Sequence, residues 1–529
     1  QQYSLNYKNT FNDLHDVEAL ALWEWKETNT NWFMARRYYS TTSAIPELDR
    51  GDVDNMYNEG NSAVYKYGGL VGRLNYVYAG KYMAEFSFRY DGSYKTAPDK
   101  RWGFFPAVSA GWRISEEQFM KDLVPQMDNL KLRASWGSIG NDSQLNASQF
   151  VSGWQFEDRF ILGGAGNSSA SITNGMKEAN LANPNITWYK VMTTNVGLDG
   201  SFWGGKLSFE FDYFYRKTTG YPATRNTSLP TTSGIPLPQE NLNSSDNRGF
   251  ELSLGTVQRI GNVNLQIKGN VAYAREKDLY KEQALPLNQY KNWRDNGAYR
   301  WKNVTWGYEH IGQFQSYDEI YNSPIQDGKG NSSLRPGDIK YKDLNGDGLI
   351  DANDEKVIGK GTFPDLNFGL TLAADWKGFD VNILFQGASN YTQVLNALTS
   401  PFRGPGEGNG FRVWMDSWHK ADYNDPDSEW VPGKFPSLRI EGNDNNSKKS
   451  TYWTTDAYYV RLKSIEIGYT IPKNLLSKVG IEHLRVYANA YNPLTITNVK
   501  YTDPEAIEGW QSFYYPQLKV YSFGVNVSF

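Results

Sequence analysis

The 529-residue, 60.2 kDa chain contains no cysteine, which excludes disulfides and thiolate chemistry. Its 54 basic and 58 acidic residues leave a net charge of -4, without the basic footprint of a nucleic-acid binder. The 36 Tyr, 26 Phe and 18 Trp stand beside 49 Gly at a mean hydropathy of -0.63, so the aromatics suit a thin apolar skin on many strands.

Two further classes fall away on spacing. His15, His310, His419 and His483 never approach a histidine metal-ligand spacing, so a histidine-built zinc site is not expected. No apolar run is long enough for a membrane helix, whereas a membrane β-barrel, whose signal alternates, stays open.

In chain order, the opening QQYSLNYKNTF already reads as a strand, as expected of a sequence beginning partway through a longer protein. LVGRLNYVYAGK sets Leu70, Leu74, Tyr76 and Tyr78 against Arg73 and Asn75, and its AGK link predicts a hairpin. YMAEFSFRYD sets Tyr82, Ala84, Phe86, Phe88 and Tyr90 against Met83, Glu85, Ser87, Arg89 and Asp91. A short helix is expected in SEEQFMKDLV (115–124). KLSFEFDYFYRK opposes Leu207, Phe209, Phe211, Tyr213 and Tyr215 to Ser208, Glu210, Asp212 and Arg216, and VNLQIKGNVAYA repeats the pattern. Two strands joined at WKG, then RLKSIEIGYTIP and the terminal KVYSFGVNVSF, complete the series.

Roughly 15 strands of this kind, many of bilayer-crossing length, predict an all-β, transmembrane antiparallel barrel. The charged faces would be wet and the aromatic faces would meet lipid, whereas a soluble sandwich would favour shorter strands. YAGK, SFWGGK and DWKG read as short periplasmic turns. The polar stretches near 28–67, 138–189, 218–247, 276–365 and 389–456 read as long extracellular loops.

DLNGDGLIDAND carries the spacing of an EF-hand loop: Asp343, Asn345, Asp347, the Leu349 carbonyl, Asp351 and Asp354, with Gly348 at the sharp turn. Asp replaces the usual Glu at the last position. The expectation is a structural Ca²⁺ stiffening a long loop; the other reading is a polar turn held by its own Asx hydrogen bonds. Trp154, Trp293, Trp301, Trp306, Trp414, Trp418 and Trp430 fall in predicted loops, as local packing or as stacking surfaces for cargo. The pairs Glu210/Asp212 and Asp425/Asp427 read as lumen wall and polar loop, not as a glycosidase dyad, and no catalytic residue is assigned. Nucleotide-binding fingerprints and a GxSxG elbow are missing.

PGDIKYKDLNGDGLIDANDEKVIG (336–359), GFDVNILFQGASN (378–390), YYVRLKSIEIGYTIPKNLL (458–476), LRVYANAYNPLTITNVKYTDPEA (484–506) and the terminal YYPQLKVYSFGVNVSF occur together, after GGLVGRLNYVYAGKYMAEFSFRYDGS. In this order they resemble the SusC/RagA-type TonB-dependent outer-membrane transporters of Bacteroidetes. The resemblance implies that residues 1–529 are the C-terminal portion of a 22-stranded barrel. Plug and N-terminal strands would lie in a segment outside this chain. It further implies active import of glycans or peptides across the bacterial outer membrane, energised by TonB, with a SusD-like surface lipoprotein as lid and no enzymatic activity. Phe529 would be the lipid-facing aromatic end read by the barrel-assembly machinery. Rival readings are a siderophore- or cofactor-type transporter without a lid, a surface glycan-binding adhesin, and a soluble β-rich lectin.

Overall fold

Alternation of greasy and polar side chains, broken by short turns, organises the whole chain into long antiparallel strands. The computed structural model describes residues 1–38, 47–51, 54, 56–147, 149–162, 171–225, 237–284, 286, 288–399, 410–439, 444–476, 480–506, 515 and 517–529. The chain begins with β1 (Gln2–Phe11), β2 (His15–Arg37), β3 (Met56–Tyr78), β4 (Tyr82–Ser93), β5 (Trp102–Arg113) and β6 (Met127–Asn141). A separate hairpin follows, β7 (Gly153–Leu162) and β8 (Ser171–Asn180), before β9 (Tyr189–Phe202), β10 (Leu207–Thr224), β11 (Gln239–Ile260) and β12 (Val263–Tyr280). Four short strands then form small ladders: β13 (Val304–Tyr308), β14 (His310–Gln313), β15 (Ile339–Tyr341) and β16 (Glu355–Lys360). After β17 (Leu366–Trp376) and β18 (Phe379–Val394) come the tiny β19 (His419–Lys420) and β20 (Trp430–Val431). The chain closes with β21 (Thr454–Thr470), β22 (His483–Thr497) and β23 (Val520–Ser528).

One 15-stranded sheet contains β1–β6, β9–β12, β17, β18 and β21–β23, each beside its predecessor in chain order. That up-and-down order and strand number match the sequence expectation. Among the described residues β1 and β23 are paired on one side only. The predicted turns hold for a backbone reason: Ala79 and Gly80 have φ of 50° and 66°, and Lys377 and Gly378 have 47° and 89°. Left-handed residues at both central positions match the right-handed twist of the flanking strands. The predicted helix is a single six-residue piece, Gln118–Leu123.

One face of the sheet is exposed and apolar. Leu70, Leu74, Tyr76, Phe86, Tyr90, Leu132, Trp136, Phe211, Tyr213, Ile467 and Val486 lie on it, and Phe523 and Phe529 are 85% and 86% exposed. Beside the short turns the aromatics gather into a band: Tyr78 stacks on Tyr82 at 6.3 Å, Trp376 on Phe379 at 6.2 Å, and Phe202 meets Trp203 at 5.6 Å. Amphipathic rings at one level are the mark of a membrane–water interface.

The opposite face carries charges, and three arginines on it bridge pairs of carboxylates. Arg133 on β6 reaches over Gly197 on β9, binding Asp199 at 2.9 Å and Asp212 on β10 at 2.6 Å. Arg485 on β22 does the same over Gly468 on β21, its Nε donating to Asp380 on β18 at 3.0 Å and its Nη2 to Glu466 at 2.6 Å. A third bridge joins Arg89 to Glu24 on β2 and, at 3.0 Å, to Asp91, packed around Gly69 on β3. In each case the glycine matters for its missing side chain: a Cβ at Gly197 would collide with the Arg133 guanidinium, and one at Gly468 with that of Arg485.

The predicted loops depart from expectation. Residues expected as loop in 28–67 and 218–247 are largely strand: β2 and β3 run 23 residues each and β11 runs 22. A tilted strand needs about 10 residues to cross a bilayer, so these hairpins stand clear of it. Residues 39–46 and 226–236 of those stretches lie outside the described residues.

The connections between β12 and β17 and between β18 and β21 pack on each other around a core of their own. Tyr308, Ile339, Tyr341 and Ile350 from the first meet Leu398, Trp414, Phe435 and Trp453 from the second. A buried polar lattice ties them: Gln326 Nε2 donates to the Asn445 side chain at 2.9 Å and the Ile339 amide to Asn446 Oδ1 at 2.9 Å. Trp453 Nε1 donates to the Asn446 carbonyl at 2.7 Å, and Asn446 Nδ2 to Asp338 at 2.8 Å. Gly337, at φ 88°, lies so close to Trp418 that no side chain fits there.

Two outcomes are expected in the full-length protein. Gly197→Leu expels the Arg133 guanidinium and leaves two carboxylates facing each other unpaired, a loss on the order of 2 kcal/mol in urea titrations. Adding Arg133→Ala to Gly197→Leu then costs little more, and strict additivity of the two would refute the bridge. Trp453→Ala removes the centre of the loop core at about 3–5 kcal/mol. Limited proteolysis should then cut within 304–365 and 410–453 while the sheet keeps its heat-modifiable migration on gels.

Candidate functional site

A cavity of about 1640 Å³ opens at the end of the sheet away from the short turns. Ordinary small-ligand pockets hold roughly 300–1,000 Å³, so this one has room for an oligomer. Its wall is formed by the outer ends of β9–β12, its cover by residues 293–304 and by Trp306 and 355–357. The cover is anchored by a short ladder: the Lys302 amide donates to the Glu276 carbonyl at 2.9 Å, the Asp278 amide to the Arg300 carbonyl at 2.8 Å, and Trp301 bridges to Lys277. Helix Gln289–Asp295, capped by Asn288 accepting from the Lys291 amide, presents Trp293 and Arg294.

The lining mixes aromatic planes with charge. Tyr189 and Tyr221 meet edge to face at 5.4 Å, and Trp293, 60% exposed, lies tilted against Tyr290 at 5.7 Å. Trp306 sits beneath the guanidinium groups of Arg294 and Arg300, each 5.9 Å from its centroid.

Every carboxylate of the lining has a cation. Glu276 and Asp278 take Lys302 at 2.6 and 3.2 Å; Asp295 and Glu355 take Arg294 at 2.7 and 3.0 Å. Burial works against the Lys302 charge, but Glu276 and Asp278 outweigh it and hold the ammonium above its ordinary value. Arg275 pairs with Asp365 at 3.6 Å and Lys356 with Glu309 at 2.6 Å. Arg300 donates to the Arg294 carbonyl, a neutral acceptor.

The tryptophans singled out from sequence divide between the two readings. Trp414 and Trp418 are 5% exposed, the first in the loop core and the second against Gly337, so they are packing. Trp293, Trp301 and Trp306 line the cavity. Trp154 lies in β7 and Trp430 in β20, away from it. Asp212 is engaged by Arg133 on the wall, and Asp425 accepts the Asp427 amide at 2.9 Å in a polar turn. Arg216 was legible as an inward charge; Lys281 and Arg300 lie in irregular chain with no periodicity to reveal them.

The EF-hand-like loop is ordered by its own amides. Asp343 accepts from Gly346 and Gly348 at 2.7 and 2.9 Å, Asn345 Oδ1 from Asp347 at 3.0 Å, and Asp347 from Leu349 at 2.9 Å. Asp351 caps Asn353 at 2.6 Å. The last-position Asp354 is wholly buried, and its two oxygens take the amides of Leu344 and Asp351 at 2.8 and 2.9 Å. The Leu349 side chain is exposed, and its neighbours Gly348 and Ile350 pair with Ile325. Among the described residues no three His, Cys, Asp or Glu side chains converge as a metal-binding group. Asn345, Asp347 and Asp351 remain exposed.

Comparison with known proteins follows the fold. The family model for the β-barrel of TonB-dependent receptor-like proteins matches residues 1–493. TonB-dependent receptor P26 of Formosa agariphila is 25% identical over 99% of this chain and 52% of its own length. TonB-dependent receptor SusC of Bacteroides thetaiotaomicron is 26% identical over 87% of this chain and 43% of its own. The chain thus spans about half the length of the curated relatives it matches. The RagAB peptide importer in its open-open state superposes over 100% of this chain and 54% of that one, with a TM-score of 0.76 at 21% identity. The chain belongs to the TonB-dependent receptor-like β-barrel family, as a barrel sheet of the bacterial outer membrane.

Proposed function

We propose that the whole protein imports oligomeric nutrients, glycans or peptides, across the outer membrane by TonB-dependent active transport. The observation that carries this reading is the separation of the sheet's two faces. An apolar aromatic skin faces outward, while a charged wall, on which arginines bridge carboxylates, faces inward and ends in a large cavity under a folded loop body. Paired charges make a wet surface that neither binds lipid nor blocks passage. Among the described residues β1 and β23 are paired on one side only, and the sequence resemblance supports their completion by further strands around a plug. The same resemblance supports a SusD-like lipoprotein as lid over the loop body, with TonB supplying the energy. The match to a peptide importer supports an oligomeric cargo without choosing between peptide and glycan.

Uptake of the cognate oligomer by the native cell is expected to vanish when TonB is deleted or the proton gradient collapsed, while surface binding persists. Native mass spectrometry of the detergent-extracted complex should find a lipoprotein travelling with it. Uptake indifferent to TonB would leave only an anchored adhesin.

We also propose a structural Ca²⁺ at Asp343, Asn345, Asp347, the Leu349 carbonyl, Asp351 and Asp354. Its support is the spacing and the exposed oxygens, and the buried amide-bound Asp354 restricts that residue to a closing role. Ca²⁺ should slow proteolysis within 325–360 relative to EDTA, and Asp343→Asn/Asp347→Asn should abolish that difference. Identical cleavage with Ca²⁺ and EDTA would leave the loop held by its amides alone.

A further inference from the structure

We propose that the cavity under the loop body selects anionic oligosaccharides, chains bearing carboxylate or sulfate groups. This deepens the import reading and rests on it for the cavity's role as cargo site.

The charge balance of the lining carries the inference. The four lining carboxylates are consumed by two cations, Lys302 and Arg294. Two further cations are matched by carboxylates outside the lining, Arg275 by Asp365 and Lys356 by Glu309. Arg216, Lys281 and Arg300 are left without a carboxylate partner among the described residues. Arg216 projects from the same face of β10 as Asp212, and Arg300 is held in place by Trp306 and the Arg294 carbonyl. Arg300 is thus fixed and Arg216 and Lys281 are exposed, and all three add positive charge to a concave wall that focuses the field on whatever enters. Guanidinium groups match carboxylate and sulfate oxygens in a fork that neutral hydroxyls do not fill as well.

The choice of saccharide over peptide rests on what the wall lacks as well as what it offers. Strands β9–β12 are hydrogen-bonded on both sides within the sheet. They therefore offer no free edge along which a peptide backbone could add as a strand. Recognition must come from side chains. The 60% exposed Trp293 supplies a flat plane, and Asn243, Ser244 and Asn296 line the same cavity as neutral hydrogen-bonding groups. A ring with equatorial C–H groups stacks on such a plane and hydrogen-bonds at its rim.

The test uses the full-length transporter with its lipoprotein in detergent, titrated by calorimetry with tetragalacturonate, a sulfated tetrasaccharide, maltotetraose and tetraglutamate. At least one anionic tetrasaccharide should bind roughly tenfold or more tighter than maltotetraose, with affinity falling as salt rises. Arg216→Gln/Lys281→Gln should weaken that binding by roughly tenfold or more. Glu276→Gln/Asp278→Asn, which frees Lys302, should strengthen it; a gain cannot come from misfolding. Equal affinity for maltotetraose, preference for tetraglutamate, or no change in either variant overturns the proposal. If no tetrasaccharide binds yet TonB-dependent uptake of another oligomer persists, the anionic class falls and the import reading stands. If the anionic tetrasaccharides bind as expected but uptake is TonB-independent, the site stands and import falls.

Discussion

Hydrocarbon offers no hydrogen bonds, and almost everything else in this chain follows from that. Each strand must give its amides and carbonyls to its neighbours, so the only large sheet available is continuous, antiparallel and paired in chain order. The same requirement governs the inner wall. A charge there has only its neighbours and water to balance it, and Arg133, Arg485 and Arg89 each solve the problem by bridging two carboxylates, one of them across a neighbouring strand. The bridges need space in the middle strand, which Gly197, Gly468 and Gly69 provide. A glycine inside a strand usually weakens it through entropy and lost packing. Here the loss is offset by a guanidinium lying flat across the gap, so backbone pairing and charge pairing reinforce each other in the same three strands.

Above the membrane the constraint is lifted, and the chain behaves as a soluble protein does. The two longest connections bury Trp414, Phe435 and Trp453 against Tyr308 and Tyr341, and their backbone groups find side-chain amides instead of sheet partners. Asn445 and Asn446 are buried only because Gln326, Asp338 and the Ile339 backbone satisfy them. Because one connection follows β12 and the other precedes β21, the body is tied to separate parts of the rim. The cavity cover, residues 293–306, is the stretch of chain that leads from β12 into that body. A shift of the body against the rim would therefore be felt at the cavity wall through Trp306 and its two arginines.

The sheet was legible in the sequence because its period is two and its faces differ strongly. In β4 the alternation of Tyr82, Ala84, Phe86 and Tyr90 with Glu85, Arg89 and Asp91 needs no tertiary knowledge to assign. Short turns with left-handed residues, such as Ala79–Gly80, are equally local. What stayed hidden was whatever depends on chain segments far apart in number. Trp453 packs on Trp414 at 6.2 Å across loops that look uniformly polar and glycine-rich. Those loops carry their apolar residues singly, at irregular spacing, so no pattern marks them as a core. The charge bridges were half legible: Asp212 could be placed on the wet face, but its partner Arg133 is 79 residues away. The cavity was less legible still, since Lys281 and Arg300 acquire meaning only when β12 and the cover segment form their ladder.

The two kinds of charge in this wall then follow from where each sits. Within the sheet the strands between β1 and β23 have two neighbours at fixed spacing, so carboxylates can be set across the ladder from Arg133, Arg485 and Arg89. At the mouth the neighbours are loops, and compensation becomes a matter of sequence choice. There Lys302 spans two acidic residues, Glu276 and Asp278, and Arg294 another two, Asp295 and Glu355. Doubling the acids onto two cations is what leaves the other basic groups unneutralised. Replacing either bridging cation would expose a carboxylate pair and invert the local field, so the acidic residues of the lining matter to the cavity's sign as much as the basic ones do. On the wall of the sheet Arg133, Arg485 and Arg89 are each engaged by carboxylates, whereas at its mouth Arg216, Lys281 and Arg300 meet no carboxylate among the described residues, and that difference arises between adjoining parts of the same strands.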